Sequence, residues 1–126
     1  MRVFKTRGFA RFARSEGIGD DALARAIRQA ESGLIDADLG AGLIKLRVAR
    51  AGAGKSAGYR TLIAYRAGRR AVFVFGFAKN DRDNITPQQL ADLKSAAADI
   101  LRRSEIRLAE DIAEGRLHEV DYDEEN

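Results

Sequence analysis

The period of hydrophobicity drops to two at Leu43 and the pattern stays strand-like to Ala78, which constrains the fold more than any other feature of the chain. In the first segment Ile44, Leu46 and Val48 share one face, and Leu43, Lys45 and Arg47 share the other. Such a strand buries aliphatic side chains beneath and can present two cations above. GYRTLIAYR returns as a second strand, with Tyr59, Thr61, Ile63 and Tyr65 alternating against Arg60, Leu62, Ala64 and Arg66. Ala67-Gly68 and the arginines after them make a hairpin turn. AVFVFGFA forms a third strand, apolar enough on both faces to be central, with Phe73, Phe75 and Phe77 predicted together on one face as core. Between the first two strands ARAGAGKSAG reads as a flexible, Gly-rich basic loop.

The flanks are helical. Residues 2–5 form a short strand in this reading, after which Phe9, Phe12 and Ala13 recur at helical spacing until Gly17 and Gly19. Asp20 is the expected N-cap of a second helix whose apolar stripe runs through Leu23, Ile27, Ala30 and Leu34. GLIDADLGAG then reads as a connecting loop. After the polar turn KNDRDN comes the clearest helix start, with Thr86 as N-cap, Pro87 at the first helical position and Gln89 completing a capping box. Leu90, Leu93, Ala97, Ile100 and Leu101 make its stripe, and a shorter helix over about 104–114 ends at Gly115. The order predicts an α+β domain over residues 1–117, built on a small antiparallel sheet with N-terminal helices and a C-terminal helix packed on it. An acidic tail, 118–126, follows and reads as solvated, with folding back over the basic face as the alternative.

The strand region also concentrates charge. Between Lys45 and Arg82 ten Lys and Arg stand against one acid, Asp81, a local net charge of +9, while the remaining residues carry 12 basic and 18 acidic side chains. A block of this kind is the footprint of polyphosphate binding, the plain alternative being a solvated basic surface. Arg60 weighs toward binding, because a guanidinium inside a strand is costly unless it meets solvent, a groove or an anion.

Other chemistries lack their residues. There is no cysteine, so neither a disulfide framework nor thiolate chemistry applies. The single histidine, His118, excludes a histidine pair, and no metal or cofactor site is expected. AGAGKSAG contains a GKS, but Ala49 stands where a phosphate-binding loop has its first Gly, and a strand follows rather than a helix. Asp36 and Asp38 resemble the start of a calcium loop, yet Ala41 replaces its turn Gly and Arg47 its bidentate Glu. No stretch has the length of a signal-peptide core or a membrane span, and the expectation is a cytoplasmic protein without a membrane partner.

IKLRVA, the basic Gly loop, GYRTLIAYR, VFVFGFAKND and NITPQQL together resemble the RelE/HigB-like toxins of bacterial toxin–antitoxin pairs, over roughly residues 3–115. The resemblance implies a small antiparallel sheet with helices on one face and a metal-independent endoribonuclease that cuts mRNA in the ribosomal A site. It also implies partners: the ribosome, its mRNA, and a cognate antitoxin of helix-turn-helix type. By position it places catalytic roles on Lys45, Arg60 and Lys79, with Arg60 holding the scissile phosphate. Arg47, Arg50, Lys55, Asn80 and Arg82 would contact RNA. Where some members carry an arginine this chain has Asn80, and where some carry a tyrosine it has Thr86, which leaves the acid and base unassigned. A lysine crowded by other cations can serve in either role if its pKa falls toward neutrality. Two other readings stay open: a gyrase-inhibiting ParE-type toxin of the same fold, and a non-catalytic RNA-binding module.

Overall fold

All four predicted strands form, and three of them make a meander. β3 (Leu43–Arg50), β4 (Gly54–Arg66) and β5 (Arg70–Ala78) pair antiparallel in chain order, with Gly68 at φ 72° in the turn between the last two. The structure, a computed structural model, describes residues 1–50, 54–78 and 85–122. The predicted Gly-rich loop is much shorter than expected. Arg50 already pairs with Gly54, so Lys55 belongs to a strand. Small residues give no periodic signal, yet their backbone pairs as well as any other.

The predicted loop GLIDADLGAG contains a further strand, β2 (Ala37–Gly40), which pairs with β3 at the sheet edge. The turn joining them uses left-handed backbone at Gly40, Ala41 and Gly42. Gly42 is also a close approach, since a Cβ there would lie 2.5 Å from Leu101 Cδ1. β1 (Arg2–Thr6) runs parallel to β5, and β6 (Leu117–Val120) pairs antiparallel with β1. The sheet order is β2-β3-β4-β5-β1-β6, so β5 is central, as its two apolar faces predict. The chain from His118 to Val120, where the sequence reading begins its tail, is therefore part of the sheet, and Val120 is buried.

Helices cover both faces, which corrects the one-sided packing that the resemblance implies. α1 (Arg7–Glu16) and α2 (Asp20–Glu31) pack Phe9, Ala13, Leu23 and Ile27 against Ile44, Leu46, Val48, Ile63 and Phe73. Thr6 caps α1 by accepting from the Phe9 amide, and Gly17 ends it at φ 72°. The N-cap of α2 is Gly19 rather than Asp20, whose carboxylate instead accepts from Lys5 Nζ at 2.7 Å. Leu34 lies beyond that helix and is 65% exposed, so the buried stripe ends at Ala30.

On the other face α3 (Pro87–Arg102) and α4 (Glu105–Ala113) bury Ala97, Leu101 and Leu108 against Phe4, Leu43, Leu62, Ala64 and Val72. The predicted capping box of α3 is present, and Ser104 caps α4. Among the described residues no helix is long and apolar enough to cross a membrane.

One irregularity positions the site. Leu62 faces Phe75 but Ile63 faces Phe73, so Val74 is an extra residue that bulges β5 against β4. The bulge reverses the phase of the strand. Phe73 therefore enters the core beside Phe9, with ring centroids 5.1 Å apart, while Phe75 and Phe77 turn to the opposite face. The common face predicted for the three rings does not exist. Gly76, between the latter two, lies under α1, and a Cβ there would meet Phe12 at 2.6 Å.

Candidate functional site

Antiparallel partners lie side by side and point the same way, so the register defines rows across the sheet. Arg47, Arg60 and Phe77 form one row over β3, β4 and β5; Lys45, Leu62 and Phe75 form the next. The following row, Leu43, Ala64 and Val72, is buried beneath α3. The C-terminal end of that helix sits against Gly42 and Arg70. Cover thus diminishes along the strands: Arg47 is exposed, while Lys45, Arg60, Phe75 and Phe77 are half-buried.

Two arginines directly opposite each other on neighbouring strands repel, and an interior would not retain them without a counter-charge. Arg47 has one: its Nε lies 3.4 Å from Asp36 Oδ2, just before β2. Both groups are substantially solvated, so that pair contributes at most about 1 kcal/mol and an incoming anion can displace it. Arg60 has none. Its Nη1 is buried and has no hydrogen-bond partner among the described residues. A buried charged donor left unmade costs on the order of 1–3 kcal/mol, and a phosphate oxygen would satisfy it with a charge-assisted bond. The Lys45 ammonium, one row away, also has no ion pair among the described residues.

Lys45 and Arg47 share one partly open face, as the alternation in sequence predicts, and the strand register brings Arg60 to the same face. Lys79, Asn80 and Arg82 lie outside the described residues, as do the side chains of Arg50 and Lys55. Thr86 has its hydroxyl engaged as acceptor from the Gln89 amide at 3.1 Å. Sequence reasoning missed Asp36 as the counter-ion of Arg47, because the pairing depends on the unrecognised strand β2. It missed Phe75 and Phe77 as surface members because a bulge within a continuous apolar run leaves no periodic trace.

A separate groove of about 410 Å³ lies at the other sheet edge, lined by Lys5, Arg14, Asp20 and the exposed His118 among others. Its Lys5 ammonium is already held by Asp20, so the groove has no buried donor comparable to that of Arg60.

Fold and site define a small α+β protein whose open sheet face carries cations suited to phosphate. The family model described as the RelE toxin of the RelE/RelB toxin–antitoxin system matches residues 1–120. The chain belongs to that family and is a toxin of a toxin–antitoxin system, which implies a cognate antitoxin as partner. A search of curated proteins finds no match.

Proposed function

We propose that this toxin is a metal-independent endoribonuclease that cuts mRNA on the ribosome, using the Arg47–Arg60 row to hold the scissile phosphate. The buried, unpartnered Nη1 of Arg60 carries this reading, because it is a donor whose natural acceptor is an anion. Membership of a family generally associated with ribonuclease toxins supports it.

The chemistry is attack of the ribose 2′-oxygen on the adjacent phosphorus, with the 5′-oxygen of the next nucleotide leaving. The products are a 2′,3′-cyclic phosphate and a free 5′-hydroxyl. Charge builds on the non-bridging oxygens, where a guanidinium fixed by a strand stabilises it through paired hydrogen bonds. The proton leaves the 2′-hydroxyl and another reaches the 5′-oxygen. Lys45 and Lys79 are the candidates for these transfers, and Arg50, Lys55, Asn80 and Arg82 for further contacts to the RNA. The ribosome would supply the in-line geometry, a contribution for which so small a protein has little surface of its own.

The test is induced expression with mapping of mRNA 5′ ends. Wild type should arrest growth and generate new ends within translated messages, and Arg60→Ala should lose both by at least about a hundredfold in cleavage rate. Arrest with intact messages and damaged DNA would point to a gyrase-directed toxin instead. Undiminished toxicity of Arg60→Ala would overturn the assignment of that residue. The antitoxin, proposed to be of helix-turn-helix type, should relieve the arrest when co-expressed.

A further inference from the structure

The row that contains Arg60 ends in an aromatic ring. Phe77 is the direct cross-strand partner of Arg60, on the same face, and it is only half-buried. A phenylalanine meant only for the core would be enclosed, as Phe73 is at 0% exposure two positions before the intervening Phe75. The bulge at Val74 is what brings Phe77 out, and it brings Phe75 with it, 6.0 Å away with planes tilted by 51°. Bulges re-aim side chains next to functional sites at the cost of a disrupted ladder. Neighbouring strands lie about 4.8 Å apart, a separation that one nucleotide spans from its phosphate to its base.

We infer that Phe77 is a base-stacking platform, holding the base of the nucleotide whose phosphate is bound by Arg60, with Phe75 supporting the ring from behind. The inference rests on the reading of this face as an RNA-binding surface. Every base has a π-face, so the platform tolerates sequence and orients the strand rather than reading it. Stacking on Phe77 would immobilise the base and set the angle at which its ribose-phosphate crosses Arg60. Phe77 is therefore a positioning residue.

The experiment compares the full chain and its variants for binding a ten-nucleotide single-stranded RNA and a fully abasic counterpart of equal charge. Phe77→Leu should weaken binding of the intact RNA about tenfold and leave the abasic strand unaffected. Phe77→Tyr should restore the affinity, which separates loss of the ring from loss of folding. Because the chain has no tryptophan, Phe77→Trp gives a second readout: intact RNA should quench its fluorescence and abasic RNA should not. Equal losses on both strands, or no loss on either, would overturn the inference. Arg60→Ala keeps the two ideas distinct, since it should weaken both strands alike. If it weakens neither, the RNA-binding reading of the face fails; if it weakens both while Phe77→Leu changes nothing, only the stacking role fails.

Discussion

Other guanidinium groups of this chain show what a structural arginine looks like here, and Arg60 does not match them. Arg70 Nη1 donates to the carbonyls of Ile100 at 2.8 Å and Arg103 at 3.0 Å, closing the C-terminal end of α3. Arg103 and Arg116 each place Nε 2.8 Å from one oxygen of Asp111, a carboxylate that is only 3% exposed. Burial pushes the Asp111 carboxyl up, but the hydrogen bonds from Arg116 and Arg103 outweigh it and hold its pKa below the ordinary 3.8. A carboxylate held low in the folded state stabilises the fold above its unfolded pKa, and that contribution is lost as pH falls through the folded value. Stability should accordingly drop below about pH 4. Asp111→Asn should cost about 2 kcal/mol at neutral pH by leaving two guanidiniums short of an acceptor charge, and should flatten the acid limb of the profile. Thermal unfolding between about pH 3 and 7 checks both, and equal acid sensitivity of variant and wild type would place the titrating group elsewhere.

Elements defined by local chemistry were legible in the sequence, and two short strands defined by distant partners were not. Thr86, Pro87 and Gln89 announce α3 because a capping box is complete within four residues, and the box forms with both hydrogen bonds. Thr86→Ala should therefore cost about 1 kcal/mol in chemical denaturation, with an unchanged m-value. β6 could not be read in this way. Leu117 and Val120 are spaced three apart and face opposite cores, and the strand exists only because residues 3–6 lie beside it. β2 is equally silent, since ADLG is short and alternates only between half-buried and exposed. The bulge in β5 is invisible because AVFVFGFA is apolar at each position except its glycine, so a change of phase alters no pattern. Gly76 is a sequence trace of it once the fold is known. Gly76→Ala would drive a methyl to within 2.6 Å of Phe12 and 3.0 Å of Phe9, and should destabilise by about 1–3 kcal/mol through overpacking. Phe12→Leu in the same chain should recover part of that loss, a coupling that denaturation of the double variant would reveal.

Across the whole molecule the sequence shows how charge is divided but not which cations are free. The count of ten basic residues from Lys45 to Arg82 treats Arg66 and Arg69 like Arg60, whereas the fold puts Arg60 in the middle of β4 and the other two at or beyond its C-terminal end. Arg66 ends β4 and Arg69 lies in the turn that follows, and six residues of strand put Arg66 about 20 Å from Arg60. Arg47 differs again, because Asp36 already neutralises part of its charge. These distinctions become measurable through counterion release. For single-stranded RNA, log affinity falls with log salt by about 0.7 for each phosphate neutralised, so removing a contacting cation lowers that slope by a similar amount. Arg60→Gln and Lys45→Gln should each reduce the slope by about 0.7, measured by anisotropy of a labelled RNA between about 50 and 200 mM salt. Arg47→Gln should reduce it by less, since its exchange of Asp36 for phosphate releases less than a free cation would. The double variant Arg66→Gln, Arg69→Gln removes twice the charge of any single change and should leave the slope where it was. If instead the slope tracks net charge wherever the cation sits, the basic block acts as a diffuse field, and the Arg60 face loses its claim to be a site.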